Sequence, residues 1–298
     1  MKIGLIGLGK MGYNLALNMK DHKHQVVAFN RSPEKTEKIE KEGIIGAYNL
    51  EEFVNKLNPP RIIWLMIHAG KVIDDMIENL IHYLDKGDII IDGGNSNYKD
   101  TLRRTAMLNQ KKMHFVDIGT SGGISGARSG ACMMIGAEKE IFSKIEPLIK
   151  SICVKDGYLH TGRNGSGHYV KMIHNGIEYG MLQAIAEGFE ILEKSQFDIN
   201  YELVARVWNN GSVIRSWLME LMEDAFSKDQ ELNNIKGVID SSGEGLWTVQ
   251  EALRLKVPAN VIASSLFTRY RSFQTDTFSG KVIAALRNEF GGHNVEKK

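Results

Sequence analysis

The first half of the chain alternates short apolar runs with longer amphipathic stretches, which is typical of strands that alternate with helices. Several of the apolar runs contain no polar residue, as expected for strands covered on both faces of a parallel sheet. The predicted strands are Ile3–Ile6, Val26–Phe29, Ile62–Ile67, Ile89–Ile91, Phe115–Ile118 and Cys132–Ile135. The pattern therefore predicts an α/β domain with a mostly parallel sheet from Lys2 to about Val154.

The pattern changes after the turn-rich stretch His160–Gly167. One long helical pattern without proline runs from His168 to about Glu193, and helical periodicity continues through Ala285–Phe290. We predict two domains, an α/β domain over residues 1–165 and an all-α domain over residues 166–298.

Composition excludes several classes of function. The chain has 298 residues and a formal net charge of +1, and its lysines and arginines form no basic stripe, so we expect no nucleic-acid partner. No apolar run is long enough to span a membrane, and the chain begins with a strand-like segment instead of a leader. We therefore expect a cytoplasmic protein without a membrane partner.

The cysteines and histidines predict neither a disulfide nor a metal site. Cys132 and Cys153 have no CxxC spacing, and we interpret both as buried small residues. His22 and His24 are interpreted as surface histidines, because no carboxylate or cysteine follows at ligand spacing. No metal is expected.

Three glycines carry the first functional signal. Gly7, Gly9 and Gly12 form GxGxxG directly after a predicted strand and at the start of a helix, the context of a dinucleotide-binding Rossmann domain. Gly7 permits a tight turn, Gly9 lets the backbone approach a pyrophosphate, and Gly12 lets helix and strand pack closely. The predicted cofactor segment is Gly7, Leu8, Gly9, Lys10, Met11 and Gly12. The alternative is a glycine-rich turn that binds nothing.

The residues after the second predicted strand bear on the choice of cofactor. An acidic residue there would accept from the ribose 2′-hydroxyl of NAD, but this chain has Asn30, Arg31 and Ser32. An amide, a guanidinium and a hydroxyl suit a 2′-phosphate, since no carboxylate repels it. We predict NADP and leave NAD open; the alternative is that Arg31 is a solvated loop residue.

Four polar residues of the long predicted helix share one face. Lys171, His174, Asn175 and Glu178 follow the spacing i, i+3, i+4 and i+7. At about 1.5 Å per residue, Lys171 and Glu178 lie about 10 Å apart, so their side chains can converge on opposite ends of a small polyol. The alternative is a solvated stripe, although aromatic neighbours such as Tyr179 are not typical of one.

Small residues recur on a neighbouring face of the same helix, at Gly176, Gly180, Ala184 and Gly188. Such a ridge permits close backbone packing, so we predict that this helix is buried in the centre of the molecule. If the helix is buried, its polar face is less readily explained as a solvated surface stripe.

Together these residues resemble a known family. The segments GLIGLGKMG, NRS, DGGNSNYKDT, GTSGGISGARSG, GSGHYVKMIHNGIEYG and RNEFGGH are similar to those of decarboxylating 6-phosphogluconate dehydrogenase, of the β-hydroxyacid dehydrogenase superfamily. The length resembles the short form of the enzyme. The resemblance implies oxidative decarboxylation of 6-phosphogluconate to ribulose 5-phosphate and CO2 with reduction of NADP, a reaction of the pentose phosphate pathway.

The resemblance also implies roles by position. Lys171 matches the family's general base and Glu178 its general acid, and Asn95 matches a residue near both nicotinamide and substrate. The implied substrate contacts are Asn95, Ser121, Gly122, Gly123, His174, Asn175, Tyr179, Thr248, Arg287 and His293. In the family, the residues matched by Arg287 and His293 reach into a neighbouring subunit's site, which implies a homodimer or homotetramer.

One position departs from the family pattern. Tyr179, Thr248 and Arg287 match residues near the substrate phosphate. Longer enzymes have a lysine two residues before the threonine that Thr248 matches, and this chain has Leu246. A phosphate site without that cation must rely on Arg287 and on Arg269 or Arg271.

Two other functions stay open. One is a 3-hydroxyacid dehydrogenase, such as one acting on 3-hydroxyisobutyrate, from which Glu178, the His174–Asn175 pair and the Arg287/His293 tail separate this chain. The other is a nicotinamide-sensing protein without turnover, which would not need the two proton-transfer groups on the helix.

Overall fold

The computed structural model describes residues 1–296. The chain divides into two compact units, Met1–His174 and a second that begins at Asn175. The predicted domain boundary between residues 165 and 166 stays a prediction.

The first unit contains one eight-stranded sheet with the order β3-β2-β1-β4-β5-β6-β7-β8. Its strands are β1 (Lys2–Ile6), β2 (Gln25–Phe29), β3 (Ile45–Ala47), β4 (Ile62–Leu65), β5 (Ile89–Asp92), β6 (His114–Ser121), β7 (Ala131–Gly136) and β8 (Cys153–Gly162). Strands β6 and β7 pair antiparallel, and all other neighbours pair parallel. The predicted mostly parallel sheet is confirmed.

Helices separate the strands of this unit. They are α1 (Lys10–Asp21), α2 (Pro33–Glu40), α3 (Leu50–Asn55), α4 (Lys71–Leu80), α5 (Tyr98–Gln110), α6 (Gly123–Ser129) and α7 (Lys139–Ile152). Successive strand residues enter two different apolar clusters: Trp64 packs in one, and its neighbours Ile63 and Leu65 pack in the other. Because side chains alternate across a sheet, a strand covered on both faces needs an unbroken apolar run.

Two strands were not predicted. β3 has only three residues, too few for a recognisable pattern. β8 lies at the sheet edge, and nine of its ten residues are exposed or only partly buried, so it carries no apolar run. The left-handed backbone at Asp156 and the irregular pairing with β7 further interrupt its alternation. In addition, β4 ends at Leu65 and not at Ile67 as predicted.

The second unit is helical. Helix α8 (Ser166–Glu193) begins in the first unit and continues into the second. It is followed by α9 (Tyr201–Asn209), α10 (Trp217–Lys228), α11 (Gly243–Leu255), α12 (Asn260–Ser272) and α13 (Phe278–Gly291). Up to residue 296 no strand follows β8, so the predicted all-α region is confirmed. Nowhere in residues 1–296 is a helix long and apolar enough to cross a bilayer.

The prediction that this long helix, α8, is buried in the centre of the molecule does not hold for its second half. Gly176 and Gly180 are buried, and a Cβ at Gly176 would lie 2.5 Å from Cγ2 of Thr248 on α11. Ala184 is exposed, and a Cβ at Gly188 would meet no described atom within 4 Å. The small-residue ridge therefore permits close packing only near its start.

The interpretation of both cysteines as buried is also wrong. Cys132 and Cys153 are free thiols, of which Cys132 is exposed and Cys153 partly buried. Burial, with a smaller contribution from Cys132, raises the pKa of the Cys153 thiol to about 12.

Candidate active site

The glycine-rich turn after β1 has the geometry of a dinucleotide loop. Gly7 has a φ of +101°, and a Cβ there would lie 2.4 Å from the carbonyl oxygen of Met66. A Cβ at Gly12 would lie 1.9 Å from the carbonyl oxygen of Gly7, so the third residue of α1 must have no side chain. At Gly9, in contrast, a Cβ would meet no described atom within 4 Å. The backbone at Gly9 can therefore be approached closely.

The first turn of α1 is suited to hold a phosphate. Gly9 is its N-cap residue and makes no side-chain capping bond, so the turn offers N–H groups and the positive end of the helix dipole. Asn30, at the end of β2, accepts a hydrogen bond from Leu8 N at 2.9 Å and donates to the Ser32 carbonyl at 3.2 Å. Asn30 therefore holds the glycine loop to the end of β2, where no carboxylate stands.

A cleft of about 400 Å³ opens beside this loop. It is lined by Leu8, Gly9, Lys10, Tyr13, Asn14, Lys35, Lys38 and Ile124. Lys35 and Lys38 lie one turn apart on α2, and the Nζ of Lys38 lies 5.1 Å from the Tyr13 ring centroid. Sequence reasoning did not single out these two lysines, although their i, i+3 spacing in the helix after β2 was visible. Arg31 is exposed.

Asn95 connects the loop after β5 to the end of β6. Its backbone is left-handed, with a φ of +54°. Its Oδ1 accepts from Thr120 N at 3.0 Å, and its Nδ2 donates to the Thr120 carbonyl at 3.4 Å. Thr120 directly precedes Ser121, so Asn95 is held beside the predicted substrate loop. Gly122 and Gly123 continue that loop with φ values of +103° and +59°.

Lys171, His174 and Ser121 form a chain of contacts. Lys171 is only 5% exposed, and its Nζ lies 3.2 Å from His174 Nδ1. The other ring nitrogen of His174 lies 3.2 Å from Ser121 Oγ. With the proton on Nε2, His174 accepts from Lys171 and donates to Ser121. The structure thus brings together Asn95, Ser121, Lys171 and His174 at the carboxyl ends of β5 and β6.

Two buried ionisable residues, Asp117 and His168, lie at the start of α8. The carboxylate of Asp117 on β6 accepts from Gly165 N at 2.7 Å and from His168 N at 2.8 Å. Burial raises the pKa of the Asp117 carboxyl, while His168 and the two backbone N–H groups act in the opposite direction. The imidazole of His168 lies 2.7 Å from Thr101 Oγ1 on α5 and 3.2 Å from the Asp92 carbonyl oxygen.

A second group of buried bonds holds the loop after β5. Asp92 accepts from Gly94 N at 3.0 Å, from Ser96 Oγ at 2.7 Å and from the Arg104 guanidinium at 3.3 Å. Arg104 also donates to Asp74 at 2.7 Å. Sequence reasoning missed Asp92, Arg104 and Asp117. A charged residue that ends or interrupts an apolar strand was the signal that could have found the two aspartates.

Within the second unit, α8, α11 and α12 meet at Tyr179. The ring is buried, and the guanidinium carbon of Arg269 on α12 lies 3.5 Å from its centroid. A Cβ at Gly245 on α11 would lie 2.3 Å from the ring. Arg269 also donates to the Asp240 carbonyl at 3.0 Å. Thr248 on α11 is 3% exposed and donates to the Glu244 carbonyl at 2.8 Å.

The remaining predicted site residues are spread over the second unit. Asn175 is buried and Glu178 partly buried on α8, and Leu246 and Arg271 are exposed. Arg287 lies on α13, a fully described helix in which no residue is buried. His293 follows it, and its backbone N–H donates to the Arg287 carbonyl at 3.4 Å. Over residues 1–296, no group of three His, Cys, Asp or Glu side chains could hold a metal ion.

Comparison with protein families matches both units. Residues 2–160 match a model described as the NAD binding domain of 6-phosphogluconate dehydrogenase, and residues 167–286 match the C-terminal domain of that enzyme. The chain is 55% identical over its full length to the full-length YqeC protein of Bacillus subtilis, which is provisionally named as a 6-phosphogluconate dehydrogenase.

Two further relatives differ in length and in named cofactor. The chain is 40% identical to the NAD(+)-dependent, decarboxylating 6-phosphogluconate dehydrogenase of Haloferax volcanii, covering 100% of this chain and 99% of that protein. Among solved structures, 6-phosphogluconate dehydrogenase of Plasmodium falciparum, studied with NADP+ and with 6-phosphogluconate, is similar with a TM-score of 0.84 and 31% identity. That similarity covers 100% of this chain and 66% of the Plasmodium chain.

Proposed function

This chain belongs to the 6-phosphogluconate dehydrogenase family, and on that premise we propose that it oxidises and decarboxylates 6-phosphogluconate to ribulose 5-phosphate and CO2. The observation that carries the proposal is the chain of contacts from Lys171 through His174 to Ser121, beside Asn95. It places a buried amine near the carboxyl ends of β5 and β6, and ligands of such folds bind at the carboxyl ends of the strands.

Lys171 is the proposed base and acid of the first two steps. A nicotinamide cofactor, when bound, supplies the hydride acceptor. Lys171 takes the proton of the substrate's C3 hydroxyl as the hydride leaves C3 for that acceptor, which gives a 3-keto acid whose carboxylate is β to the new carbonyl. The protonated amine then donates to the ketone oxygen and stabilises the enediol that forms as CO2 leaves. Its contact with His174 Nδ1 at 3.2 Å keeps the amine oriented through both steps.

Glu178 is the proposed acid of the last step. It follows Lys171 by two turns of α8, and the i, i+7 spacing returns it to the same helical face. We propose that Glu178 protonates C1 of the enediol, which yields ribulose 5-phosphate. In this proposal, different groups protonate the ketone oxygen and the neighbouring carbon, which would explain two proton-transfer groups on one helix.

NADP is the proposed cofactor, with NAD also accepted. Gly9 can be approached closely and the first turn of α1 has no side-chain cap, so these residues fit a pyrophosphate. The absence of a carboxylate at Asn30, Arg31 and Ser32, together with the lysines that line the adjacent cleft, favours a 2′-phosphate. The named NAD dependence of the Haloferax relative is the reason to test both cofactors.

Arg269 is the proposed cation for the substrate phosphate, in place of the lysine that Leu246 replaces. It lies on Tyr179, one of the residues predicted to contact the phosphate. Arg271, the other candidate, is exposed. We expect Arg269→Met to raise the KM for 6-phosphogluconate by tenfold or more, as loss of a charge-assisted contact of about 1.5–3 kcal/mol implies. Arg271→Met is the matched control, and equal KM values for the two variants would remove Arg269 from this role.

A second copy of the chain is the proposed partner. Ile283, Leu286 and Phe290 form an exposed apolar stripe on α13, and Arg287 lies beside it. Burial of this stripe against another subunit is favourable, and it would bring Arg287 and His293 to the neighbouring subunit's site. We propose a homodimer or a tetramer built from it.

Absorbance at 340 nm tests the reaction. The purified chain is assayed with 6-phosphogluconate and with 3-hydroxyisobutyrate, each with NADP and with NAD. We expect turnover only with 6-phosphogluconate, and a higher kcat/KM with NADP. Preference for 3-hydroxyisobutyrate would assign a 3-hydroxyacid dehydrogenase, and cofactor binding without turnover of either acid would assign a nicotinamide sensor. An equal or higher kcat/KM with NAD would overturn the NADP assignment alone.

A further inference from the structure

The first turn of α8 is attached to the sheet unit by side chains from three different elements. Asp117 comes from β6, Thr101 from α5, and His168 from α8 itself. All three are buried, with exposures of 0%, 0% and 1%. Neither the family resemblance nor the proposed mechanism uses any of them.

Asp117 caps the start of the helix from the side of the sheet. Both of its carboxylate oxygens are used, one by Gly165 N and one by His168 N. These N–H groups belong to the helix end that has no partners within the helix. A carboxylate also interacts favourably with the positive end of the helix dipole. Just before the helix, Asn164 Nδ2 donates to the Phe115 carbonyl at 2.6 Å, a second attachment to β6.

The ring of His168 connects the helix to the loop that carries Asn95. A carbonyl oxygen only accepts, so Nε2 must carry a proton to bond the Asp92 carbonyl at 3.2 Å. Nδ1 then accepts from the Thr101 hydroxyl at 2.7 Å in the neutral ring. Because Asp92 ends β5, the ring ties α8 to the strand end that leads into Asn95.

The first turn of α8 packs closely against strands β6 and β7. A Cβ at Gly167 would lie 2.5 Å from the Met134 carbonyl oxygen and 2.6 Å from that of Asp117. A Cβ at Gly119 would lie 2.2 Å from Cβ of Lys171. Lys171 comes one turn after His168, so its position follows directly from where the first turn is held.

We propose that Asp117 and His168, with Thr101 as the partner of the His168 ring, are positioning residues that set the location of the Lys171 amine relative to Asn95. The proposal rests on the proposed catalytic role of Lys171. Asp117 acts on the backbone of the first turn, and His168 sets the distance between that turn and the end of β5. Neither residue needs to touch substrate or cofactor, since both act through the helix.

Asp117→Asn tests the first attachment. An amide keeps one acceptor but turns an NH2 group toward the other backbone N–H, so one bond is lost. Misplacing a catalytic group by about 1 Å costs up to about 100-fold, and we expect kcat to fall by about 10- to 100-fold, with the KM for NADP changed less than about twofold. With substrate deuterated at C3, the isotope effect on kcat should rise, because the hydride step becomes slower.

Asp88→Asn is the matched control. Asp88 is 1% exposed and precedes β5 at its amino end, and it accepts from Arg61 N at 2.6 Å, from Asp85 N at 2.9 Å and from the Arg61 guanidinium at 2.9 Å. Asp88→Asn therefore loses a backbone N–H bond of the same kind, together with the charge of an ion pair, at the opposite end of the strand from Asp92. We expect Asp88→Asn to lower Tm at least as much as Asp117→Asn does, but to leave kcat and the isotope effect unchanged. A kcat loss in Asp88→Asn equal to that in Asp117→Asn would overturn the proposal.

Thr101→Val and Thr101→Ser test the His168 attachment with smaller changes. Valine keeps the shape of threonine but removes the hydroxyl, whereas serine keeps the hydroxyl. We expect Thr101→Val to lower kcat and raise the isotope effect, and Thr101→Ser to restore both. If the two variants turn over at the same rate, the ring of His168 does not position Lys171. This pair keeps the proposal testable if Asp117→Asn does not fold.

Hydrogen exchange separates failure of this proposal from failure of the proposed function. In Asp117→Asn, the amides of Gly165, His168 and Lys171 should lose protection, and in Asp88→Asn they should keep it. A wild-type protein that turns over no substrate would overturn the proposed function, while the exchange rates would still report the attachment. Unchanged protection at these three amides in Asp117→Asn would overturn the attachment itself, whatever the activity.

Discussion

The two units of this chain bury their apolar residues to very different degrees. Helices cover both faces of the sheet in the first unit, where Trp64, Phe53 and Leu65 are fully buried. The second unit has a small core around Phe189 and Phe226, and it leaves Phe278 79% and Phe290 77% exposed. A sheet covered on both faces completes its core within its own unit, whereas this set of helices leaves large apolar side chains exposed.

Buried charged groups are concentrated in the first unit. It buries Asp92, Asp117 and Arg104 around the loops of the site. The second unit buries Glu251, which pairs with the exposed Arg254, while Arg206 and Lys228 form their ion pairs at the surface. Buried, hydrogen-bonded charges hold one geometry because breaking any bond leaves an unpaired group. The comparison supports the proposal that the first unit holds the proposed base Lys171 in position, and the proposal that exposed surface of the second unit binds another copy of the chain.

The largest expected effect concerns the two proposed proton-transfer groups, Lys171 in the first unit and Glu178 in the second. Lys171→Met should lower kcat by about 10³-fold or more with cofactor affinity unchanged, because both the hydride step and the decarboxylation step of the proposed mechanism need the amine. Glu178→Gln should keep oxidation of the C3 hydroxyl but slow the release of CO2 and the final protonation. Stopped-flow absorbance for NADPH and a coupled assay for CO2 distinguish these outcomes. A Lys171→Met enzyme with near wild-type kcat would contradict the proposed mechanism.

Alanine at two glycines tests close packing in the first unit against open surface in the second. Gly12→Ala must move α1 away from Gly7, and we expect a loss of about 1–3 kcal/mol of stability and weak NADP binding. Gly188→Ala should stabilise the chain by up to about 1 kcal/mol, since alanine favours a helix and a Cβ there meets open space. Thermal unfolding and cofactor titration measure both. Equal effects of the two substitutions on the free energy of unfolding would contradict the difference in packing between Gly12 and Gly188.

The exposed stripe of α13 predicts an effect on assembly. Leu286→Ser should weaken the proposed dimer by tenfold or more, because it removes an apolar anchor from the proposed interface. Sedimentation velocity over a range of concentrations measures the dissociation constant. Leu159→Ser is a control, since Leu159 is also exposed but lies on β8 of the first unit. A wild-type protein that is monomeric at all concentrations would contradict the proposed assembly through α13.

The smallest effect concerns the pH dependence of the first unit. Burial, and then the nearby N-terminus and His22, lower the pKa of His24, whose ring contacts Met1 N and Ser151 Oγ. The unfolded chain therefore binds a proton more readily, so stability from this group is present above pH 6.5 and is lost as the pH falls below it. His24→Gln should make the decrease in Tm between pH 7 and pH 5.5 shallower. An unchanged slope would assign that decrease to other groups.

Much of the fold could be predicted because its signals are local. Unbroken apolar runs predicted the central strands, and the GxGxxG segment predicted the turn into α1 from the steric needs of Gly7 and Gly12. Edge strand β8 and the three-residue β3 carried no such signal, since an edge strand needs no apolar run on both faces. The ridge from Gly176 to Gly188 indicated close packing correctly at its start, but periodicity alone cannot show where a packing neighbour ends.

The sequence by itself determined which chemical groups this chain offers for the proposed reaction: an amine at Lys171, a carboxylate at Glu178 and a helix N-terminus after Gly9. Spacing along one helix or one turn sets these, because their geometry depends on few residues. Only the tertiary structure decided that Lys171 contacts His174 beside Ser121, that Asp117 and His168 hold the start of α8, and that Arg269 and not Arg271 lies on Tyr179. These contacts join residues distant in the chain, and their geometry depends on how whole strands and helices pack.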